Sequence, residues 1–294
     1  GNLWIGTEGG GLNYYNRRTR EFKWYRPQEG RNSISHNNVK ALYYDADKEI
    51  IWIGTHLGGL NKLDIRSGHF THYRMEGNNP QSLPSDIIRD ITPYKDLLII
   101  ATQNGVCLFN PANGQCRQLF KDSKEGKSIK MVADVVFDSE GTLWIAATGE
   151  GVFSYRFDTR KLTNYRHDSL NPNSLSNNNV NNIMQDSQGR LWFSTSGSGL
   201  DLYHPANNDF ENFDKEKNGL ASDCVYETQE SAASGKLLLI TNQGFSIFDY
   251  QNMHIKNYSA EKWVSADSRQ REFALHHPRW RNFPGWRTGH DFFS

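Results

Sequence analysis

The amino-acid sequence predicts an all-β fold assembled from a repeated four-stranded unit. A phrase that reads Leu-Trp-Ile-Gly-Thr in its first copy returns at nearly constant spacing, and turn residues separate short β-forming runs inside each period. The copies begin 45 to 48 residues apart, at Leu3, Ile51, Leu98, Leu143, Leu191 and Leu237. A period in the forties, in a chain whose residues are 13% aromatic, is typical of the blades of a β-propeller.

Residues 38–73 contain one complete repeat. Runs rich in β-branched and aromatic residues alternate there with clusters of Asp, Asn and Gly, which predicts four short strands joined by tight turns. The predicted strands are Val39–Tyr44, Ile50–Thr55, Leu60–Leu63 and Phe70–Tyr73. Four antiparallel strands per period correspond to one propeller blade.

The turns between first and second strands have their own pattern. Asp138–Gly141 and Asp186–Gly189 each place an Asp, which can bond its own backbone, ahead of a Gly that accepts positive φ. We therefore predict hairpin turns at these positions. Asp45–Asp47 hints at alternating oxygen ligands, but the Gly and bidentate Glu of a calcium loop are missing.

Four tryptophans stand at the second position of the recurring phrase. Such rings could form a sugar-stacking platform, but they recur at the blade period within apolar strands. Packing between adjacent blades is the favoured interpretation for Trp4, Trp52, Trp144 and Trp192.

Composition excludes several partners. Lys plus Arg equals Asp plus Glu at 33 each, so no net field favours nucleic acid or an anionic membrane. There is no apolar run of membrane-spanning length, and the first residues lack a signal-peptide pattern.

Three cysteines are present, and none is spaced as C-x-x-C. Cys107 and Cys116 could bridge neighbouring strands, but buried thiols are the favoured interpretation for all three, including Cys224.

The loops around the phrase identify a family. A Gly-rich stretch at Gly9–Asn13 follows the first copy, and a segment rich in Ser and Asn leads into the first strand of later periods. These lead-in segments are Asn32–Val39, Gln81–Ile87 and Asn173–Val180. Together they resemble the two-component-regulator propeller repeat, and the resemblance covers about residues 1–258.

This resemblance implies a fold and a function. In that family the repeats build seven-bladed propellers, so we expect an incomplete seven-bladed type with about five full four-stranded blades plus a partial first blade. Such propellers form the periplasmic sensor of hybrid histidine kinases, commonly sense oligosaccharides and act as homodimers. No kinase histidine box, ATP-binding segment or receiver domain is present, so we expect residues 1–258 to sense a ligand without catalysis and without a cofactor, a metal, nucleic acid or membrane contact.

The pattern ends after Tyr258, and residues 259–294 predict an irregular tail. Three interpretations stay open: a zinc site from His276, His277, His290 and Asp291; a basic, aromatic nucleic-acid segment; and a frameshifted closing blade. The third is favoured. With free codon choice, a reading one base later can spell a closing blade whose strand begins near Asn282, about one period after Leu237.

Polar loops at one end of the predicted blades supply the candidate ligand site. The connection after each second strand and the connection into each first strand should lie at the same end. Neutral amides and imidazoles suit a ligand rich in hydroxyl groups, because they donate and accept without the desolvation cost of a charge. The same residue types are ordinary turn formers. The candidates are His36, Asn38, His56, Asp86, Gln103, Asn104, Glu150 and Asn178.

Two other functions remain as alternatives. A propeller lyase could use His36 and His56 with Glu8 or Glu150 as a metal-assisted base. No Ser or Cys nucleophile turn and no paired carboxylates accompany these residues. A scaffold that binds only proteins is the second alternative.

Overall fold

The computed structural model describes residues 2–258 and 275–276, which consist mainly of short β-strands. A four-residue helix, α1 (Lys215–Asn218), and a 3-10 turn (Gly126–Ser128) interrupt them. The strands are β1 (Leu3–Thr7), β2 (Gly11–Asn16), β3 (Glu21–Tyr25), β4 (Val39–Asp45), β5 (Ile50–Thr55), β6 (Leu60–Asp64), β7 (His69–Tyr73), β8 (Ile88–Tyr94), β9 (Leu97–Thr102), β10 (Gly105–Phe109), β11 (Cys116–Gln118), β12 (Val132–Phe137), β13 (Leu143–Ala147), β14 (Gly151–Arg156), β15 (Lys161–Tyr165), β16 (Val180–Gln185), β17 (Leu191–Thr195), β18 (Leu200–His204), β19 (Asp209–Phe213), β20 (Val225–Ser231), β21 (Leu237–Thr241), β22 (Gly244–Asp249), β23 (His254–Tyr258) and β24 (Leu275–His276).

Consecutive strands pair antiparallel, and the described residues form six sheets, each the equivalent of one blade. The chain therefore has the predicted all-β, β-propeller type of fold. The sheets are β1–β3, β4–β7, β8–β11, β12–β15, β16–β19 and β20–β23. The expected seven-bladed count is not met in these residues, because each period folds into one sheet and the described part holds six copies of the phrase. β24 adds a fifth strand beside β20, pairing His276 with Glu230.

The described residues fall into two compact units that meet in sequence between Val135 and Val136. Sheets β1–β3, β4–β7 and β8–β11 belong to the first unit, and sheets β16–β19 and β20–β23 belong to the second. Within the described residues no helix is long and apolar enough to cross a bilayer. The zinc, nucleic-acid and frameshift interpretations of residues 259–294 lie outside the described residues, apart from the two-residue strand β24.

In the first unit, neighbouring sheets approach closely at the Gly of the recurring phrase. A Cβ added to Gly54 on β5 would lie 2.6 Å from Cγ2 of Ile88, the first residue of β8. The same test at Gly6 places a Cβ 2.5 Å from Cγ1 of Val39 on β4. These two copies of the phrase require a small residue here because the first strand of the next sheet occupies the space of a side chain.

The phrase tryptophans pack between blades, as predicted. Trp52 is 1% exposed and contacts both Tyr73 in its own sheet and Phe109 in the next, with ring centroids 6.0 and 5.4 Å away. In the second unit Trp192 is equally buried, and its ring centroid lies 6.2 Å from that of Phe248 in the following sheet. These rings belong to the core and are closed to a ligand.

The hairpin turns between first and second strands are also confirmed. Gly141 and Gly189 adopt φ of 77° and 82°. The Asp of each turn accepts backbone hydrogen bonds and receives an indole N–H in addition. Nε1 of Trp192 donates to Oδ2 of Asp186 at 2.8 Å, and Nε1 of Trp144 donates to Oδ2 of Asp138 at 2.8 Å. The turn and the core tryptophan are therefore fixed by the same carboxylate.

The hydroxyl of the phrase Thr closes the following turn. Oγ1 of Thr55 donates to the carbonyl of Gly59 at 2.9 Å, and Thr195 makes the same bond to Gly199 at 3.0 Å. Gly59 has φ of 73°, and a Cβ there would lie 2.3 Å from the carbonyl oxygen of Tyr73. Only Gly fits at the start of this third strand.

The favoured interpretation of buried thiols is wrong for two of the cysteines. Cys107 on β10 and Cys116 on β11 form a disulfide, with Cα atoms 6.0 Å apart, while Cys224 is free. The register explains the pairing, because Phe109 stands opposite Cys116 and places the two cysteines diagonally on adjacent strands. The number of residues between the two cysteines does not determine this register, so the sequence alone does not predict the disulfide.

One carboxyl group is buried inside the second unit. Asp201 on β18 is fully buried, and burial raises its pKa to about 6. Ser176 donates to Oδ2 through its backbone N–H and its hydroxyl at 3.0 and 2.8 Å, and Asn212 donates to Oδ1 at 3.0 Å. These bonds favour the carboxylate and partly oppose the effect of burial. Asn61 occupies the equivalent position of β6 and accepts from the N–H of Ser35.

We predict that Gly54→Ala destabilises the protein by about 1–3 kcal/mol, because the new methyl group overlaps Ile88. Gly77→Ala is the matched control, since a Cβ at Gly77 meets nothing within 4 Å. Chemical denaturation of both variants measures the difference. Equal stability of the two variants would contradict the close approach.

We also predict that Asp201 makes stability fall as pH rises. The unfolded carboxyl ionises near its ordinary pKa of 3.8, whereas the folded one ionises near 6, so the folded state holds the extra proton in between. The contribution of Asp201 to the free energy of unfolding is therefore highest below the unfolded-state pKa, and it is lost as the pH rises through the folded-state pKa. The difference in unfolding free energy between wild type and Asp201→Asn should change by about 2 kcal/mol from pH ~4 to ~7. A constant difference across that range contradicts the shift.

Candidate functional site

The candidate residues lie on loops that are hydrogen-bonded to one another at one end of each sheet. The N–H of His56, directly after β5, donates to the carbonyl of Asn38, directly before β4, at 2.9 Å. Gly151 similarly donates to the carbonyl of Asn178 at 3.0 Å. The connection after a second strand and the lead-in segment of a first strand therefore share an end, as the sequence indicates.

Each lead-in segment folds by a local side-chain bond. One side chain accepts from the N–H two residues further on, which is the pattern of an Asx or Ser/Thr turn. The four pairs of acceptor and donor, at 2.9 to 3.1 Å, are His36 with Asn38, Ser85 with Ile87, Asn177 with Asn179, and Ser222 with Cys224. The Ser- and Asn-rich segment thus serves the turn in these four copies.

A second side chain of the lead-in segment ties it to the preceding outer strand. Oδ1 of Asp86 accepts from the N–H of Met75 at 2.7 Å, and Oδ1 of Asn178 accepts from the N–H of His167 at 2.8 Å. The carbonyl of Asp86 also accepts from Gly59 at 2.9 Å. Asp86 and Asn178 therefore have a structural role that either an acid or an amide can fill.

Three candidates form a cluster in the first unit. The rings of His36 and His56 have centroids 6.5 Å apart, and Oδ1 of Asn38 accepts from the N–H of Gly9 at 2.6 Å. Because the N–H of Asn38 donates to Nδ1 of His36, the neutral ring of His36 carries its proton on Nε2. That N–H and the half-buried His56 ring remain available to a ligand.

The next connection of the same unit holds Gln103 and Asn104, and both are exposed. Nδ2 of Asn104 donates to the carbonyl of Pro84 at 3.3 Å. The Gln103 backbone donates to Ile87, but its side chain has no hydrogen bond within the described residues. Gln103 is therefore the candidate whose amide is most free to bind a ligand.

In the second unit, Glu150 forms an ion pair with Arg166 across the turn that follows β13. Glu150 and Asn178 lie near each other, because Gly149 and Gly151 on either side of Glu150 both donate to the carbonyl of Asn178. The charge of Glu150 is thus offset locally.

The geometry gives no support to the metal-assisted lyase. Among the residues that the structure describes, no three His, Cys, Asp or Glu side chains are grouped so that they could hold a metal ion. Glu8 is paired with Lys40 at 3.2 Å, and Glu150 is paired with Arg166.

The sequence reasoning missed one recurring feature beside these loops. Four first strands contain a β-bulge immediately after their first residue, which leaves one residue outside the ladder. The bulged residues are Lys40, Arg89, Asn181 and Tyr226. The sequence signal that could have indicated these bulges is a polar or aromatic residue directly after the buried apolar residue that begins each first strand.

Comparison with known proteins agrees with this description. Residues 33–56 and 174–197 match the model of the two component regulator propeller, and each match runs from a lead-in segment through the phrase strand. No curated protein sequence matches the chain.

Solved structures show the same fold. The extracellular domain of the putative hybrid two component system BT3049 from B. thetaiotaomicron aligns with a TM-score of 0.74 and 23% identity, over 88% of this chain and 33% of that one. PorZ, a surface component of the type-IX secretion system of Porphyromonas gingivalis, aligns with a TM-score of 0.64 and 17% identity, over 84% of this chain and 37% of that one. This chain thus spans about a third of the length of these structures. It has a β-propeller type of fold, and two of its repeats match the model of the two component regulator propeller.

Proposed function

We propose that the chain is part of an extracytoplasmic sensor of a two-component regulator, and that it binds an oligosaccharide or another small hydroxyl-rich ligand without transforming it. One observation carries the proposal. The side-chain groups left free at the loop end of the first unit are neutral donors and acceptors, namely Nε2 of His36, the His56 ring and the Gln103 amide. The acidic candidates, by contrast, are engaged: Asp86 holds the N–H of Met75, and Glu150 pairs with Arg166.

The neighbours with similar folds support the location. BT3049 is described as an extracellular domain of a two component system, and PorZ is described as a surface component. We extend this to a periplasmic position and a homodimeric receptor for the complete protein. The ligand transmits a signal only if it binds one arrangement of that dimer more tightly than another.

We predict that the chain, within its complete sensor domain, gives saturable binding in calorimetry with a panel of oligosaccharides and leaves them intact on chromatography. His56→Ala and Gln103→Ala should each weaken binding about 5- to 10-fold, because each removes about one hydrogen bond. Gln188→Ala, an exposed Gln in a turn between first and second strands, is the control.

Two results would favour the alternative functions, a metal-assisted lyase or a protein-binding scaffold. Sugar cleavage that a chelator abolishes would favour the lyase. A folded domain that shows no heat with any sugar of the panel would favour a protein-binding scaffold.

We further predict that Asp86→Asn keeps wild-type stability, because Asn178 makes the equivalent bond in another repeat. Asp86→Ala removes the acceptor for Met75 and should cost about 1–2 kcal/mol in chemical denaturation. If Asp86→Ala leaves stability unchanged but abolishes sugar binding, Asp86 is a ligand residue and its structural assignment is wrong.

A further inference from the structure

Two bulged residues of the second unit stand beside the loop end of the sheets. The ladder between β16 and β17 shifts between Val180 and Asn182, and the ladder between β20 and β21 shifts between Val225 and Glu227. Asn181 and Tyr226 are the residues left outside the ladders. A bulge turns a side chain out of the regular alternation of a strand, and bulges are frequent next to binding sites.

These bulged residues do not contribute to the core. Val180 and Val225, the residues before them, are 1% and 0% exposed and fill the interior of the unit. Tyr226 is 52% exposed, although a Tyr ring gains much from burial. Packing therefore does not explain why a Tyr occupies this position.

Hydrogen bonds and a β-bridge tie Asn181 and Ser196 to the segment that precedes Tyr226. Nδ2 of Asn181 donates to the carbonyl of Val225 at 2.8 Å, and Oγ of Ser196 donates to Oδ1 of Asn181 at 2.8 Å. Ser196 pairs with Cys224 through an isolated β-bridge. The Cys224 thiol raises the pKa of the Tyr226 phenol. Asn181 and Ser196 are therefore held against the strand start, Cys224–Val225, that leads directly into Tyr226.

The chemistry of this group matches a neutral sugar ring. An exposed Tyr ring offers an apolar face to the C–H face of a pyranose. Asn181 keeps one amide N–H and one lone pair, and the Ser196 oxygen keeps its lone pairs, so sugar hydroxyls find donors and acceptors beside the ring. No charged side chain takes part in these contacts, which favours a neutral ligand over an anionic one.

We propose that Tyr226, Asn181 and Ser196 form a subsite for one neutral sugar ring, in which Tyr226 stacks on the ring and Asn181 and Ser196 bind its hydroxyls. The proposal deepens the sensor function and rests on it. It is confined to the second unit, because the equivalent bulged residues of the first unit are Lys40 and Arg89, which offer no aromatic face.

The test combines two measurements on the complete sensor domain. First, protein with ¹³C-labelled tyrosine is titrated with D-glucose, D-galactose, D-xylose and L-arabinose, and the Tyr226 ring signal is assigned from its loss in Tyr226→Phe. We expect at least one sugar to shift the Tyr226 signal in a saturable way. Second, calorimetry with the oligosaccharide panel compares variants. Tyr226→Ala should bind about 10-fold or more weakly and Tyr226→Phe nearly as well as wild type.

Trp24→Ala is the matched control, because Trp24 is 61% exposed on an outer strand of the first unit and should not affect binding. The outcomes separate the subsite from the sensor function. If oligosaccharides bind but Tyr226 does not shift and Tyr226→Ala binds normally, the subsite is overturned and the sensor stands. If a monosaccharide shifts Tyr226 but no oligosaccharide binds, the subsite stands and the sensor fails. If no sugar shifts Tyr226, the subsite is overturned.

Discussion

The contact between the second strand of one sheet and the first strand of the next determines much of this structure. At Gly54 the methyl group of Ile88 occupies the volume in which a side chain would project, and Val39 does the same at Gly6. In the second unit Ser194 takes this position and bonds Oγ1 of Thr228 on the following sheet at 2.8 Å, deep in the core. The first five copies of the phrase have Gly, Ala or Ser at this point, where the sheets meet closely, and the sixth copy has Ile240. The tryptophan two residues earlier then fills the wider gap further along the strand.

Much of the fold could be predicted from this repetition. The phrase located the second strands, and Asp186–Gly189 and its relatives located the hairpin turns, since both signals depend on local chemistry. The disulfide could not be predicted, because it depends on the register of β10 against β11. Cys107 stands where Asn61 and Asp201 stand in other sheets, so a covalent bond replaces a polar contact at that position. The figure of seven blades was wrong because it came from the family pattern, whereas the six copies of the phrase match the six sheets of the described residues.

The candidate site was predicted only in outline. Sequence reasoning placed the polar loops at one end, and the hydrogen bonds between Asn38 and His56 agree with that placement. It could not tell which polar side chains are already bonded. Asp86, Asn178 and Ser85 serve the turns and strand ends, whereas Gln103 and His56 keep their side-chain polar groups free. The difference lies in backbone geometry, which residue type alone does not reveal, since Asn and Ser are equally suited to a turn and to a sugar.

The bulge at the start of the first strand has an evolutionary consequence. The residues around it are constrained: the one before it is buried, and the lead-in segment is committed to its turn. The bulged residue itself is under neither constraint, and the four copies hold Lys, Arg, Asn and Tyr. When a gene segment that encodes such a repeat is duplicated, a single codon in each copy can change without loss of the fold. Propellers of this design can therefore change this part of their surface by point substitution, one repeat at a time.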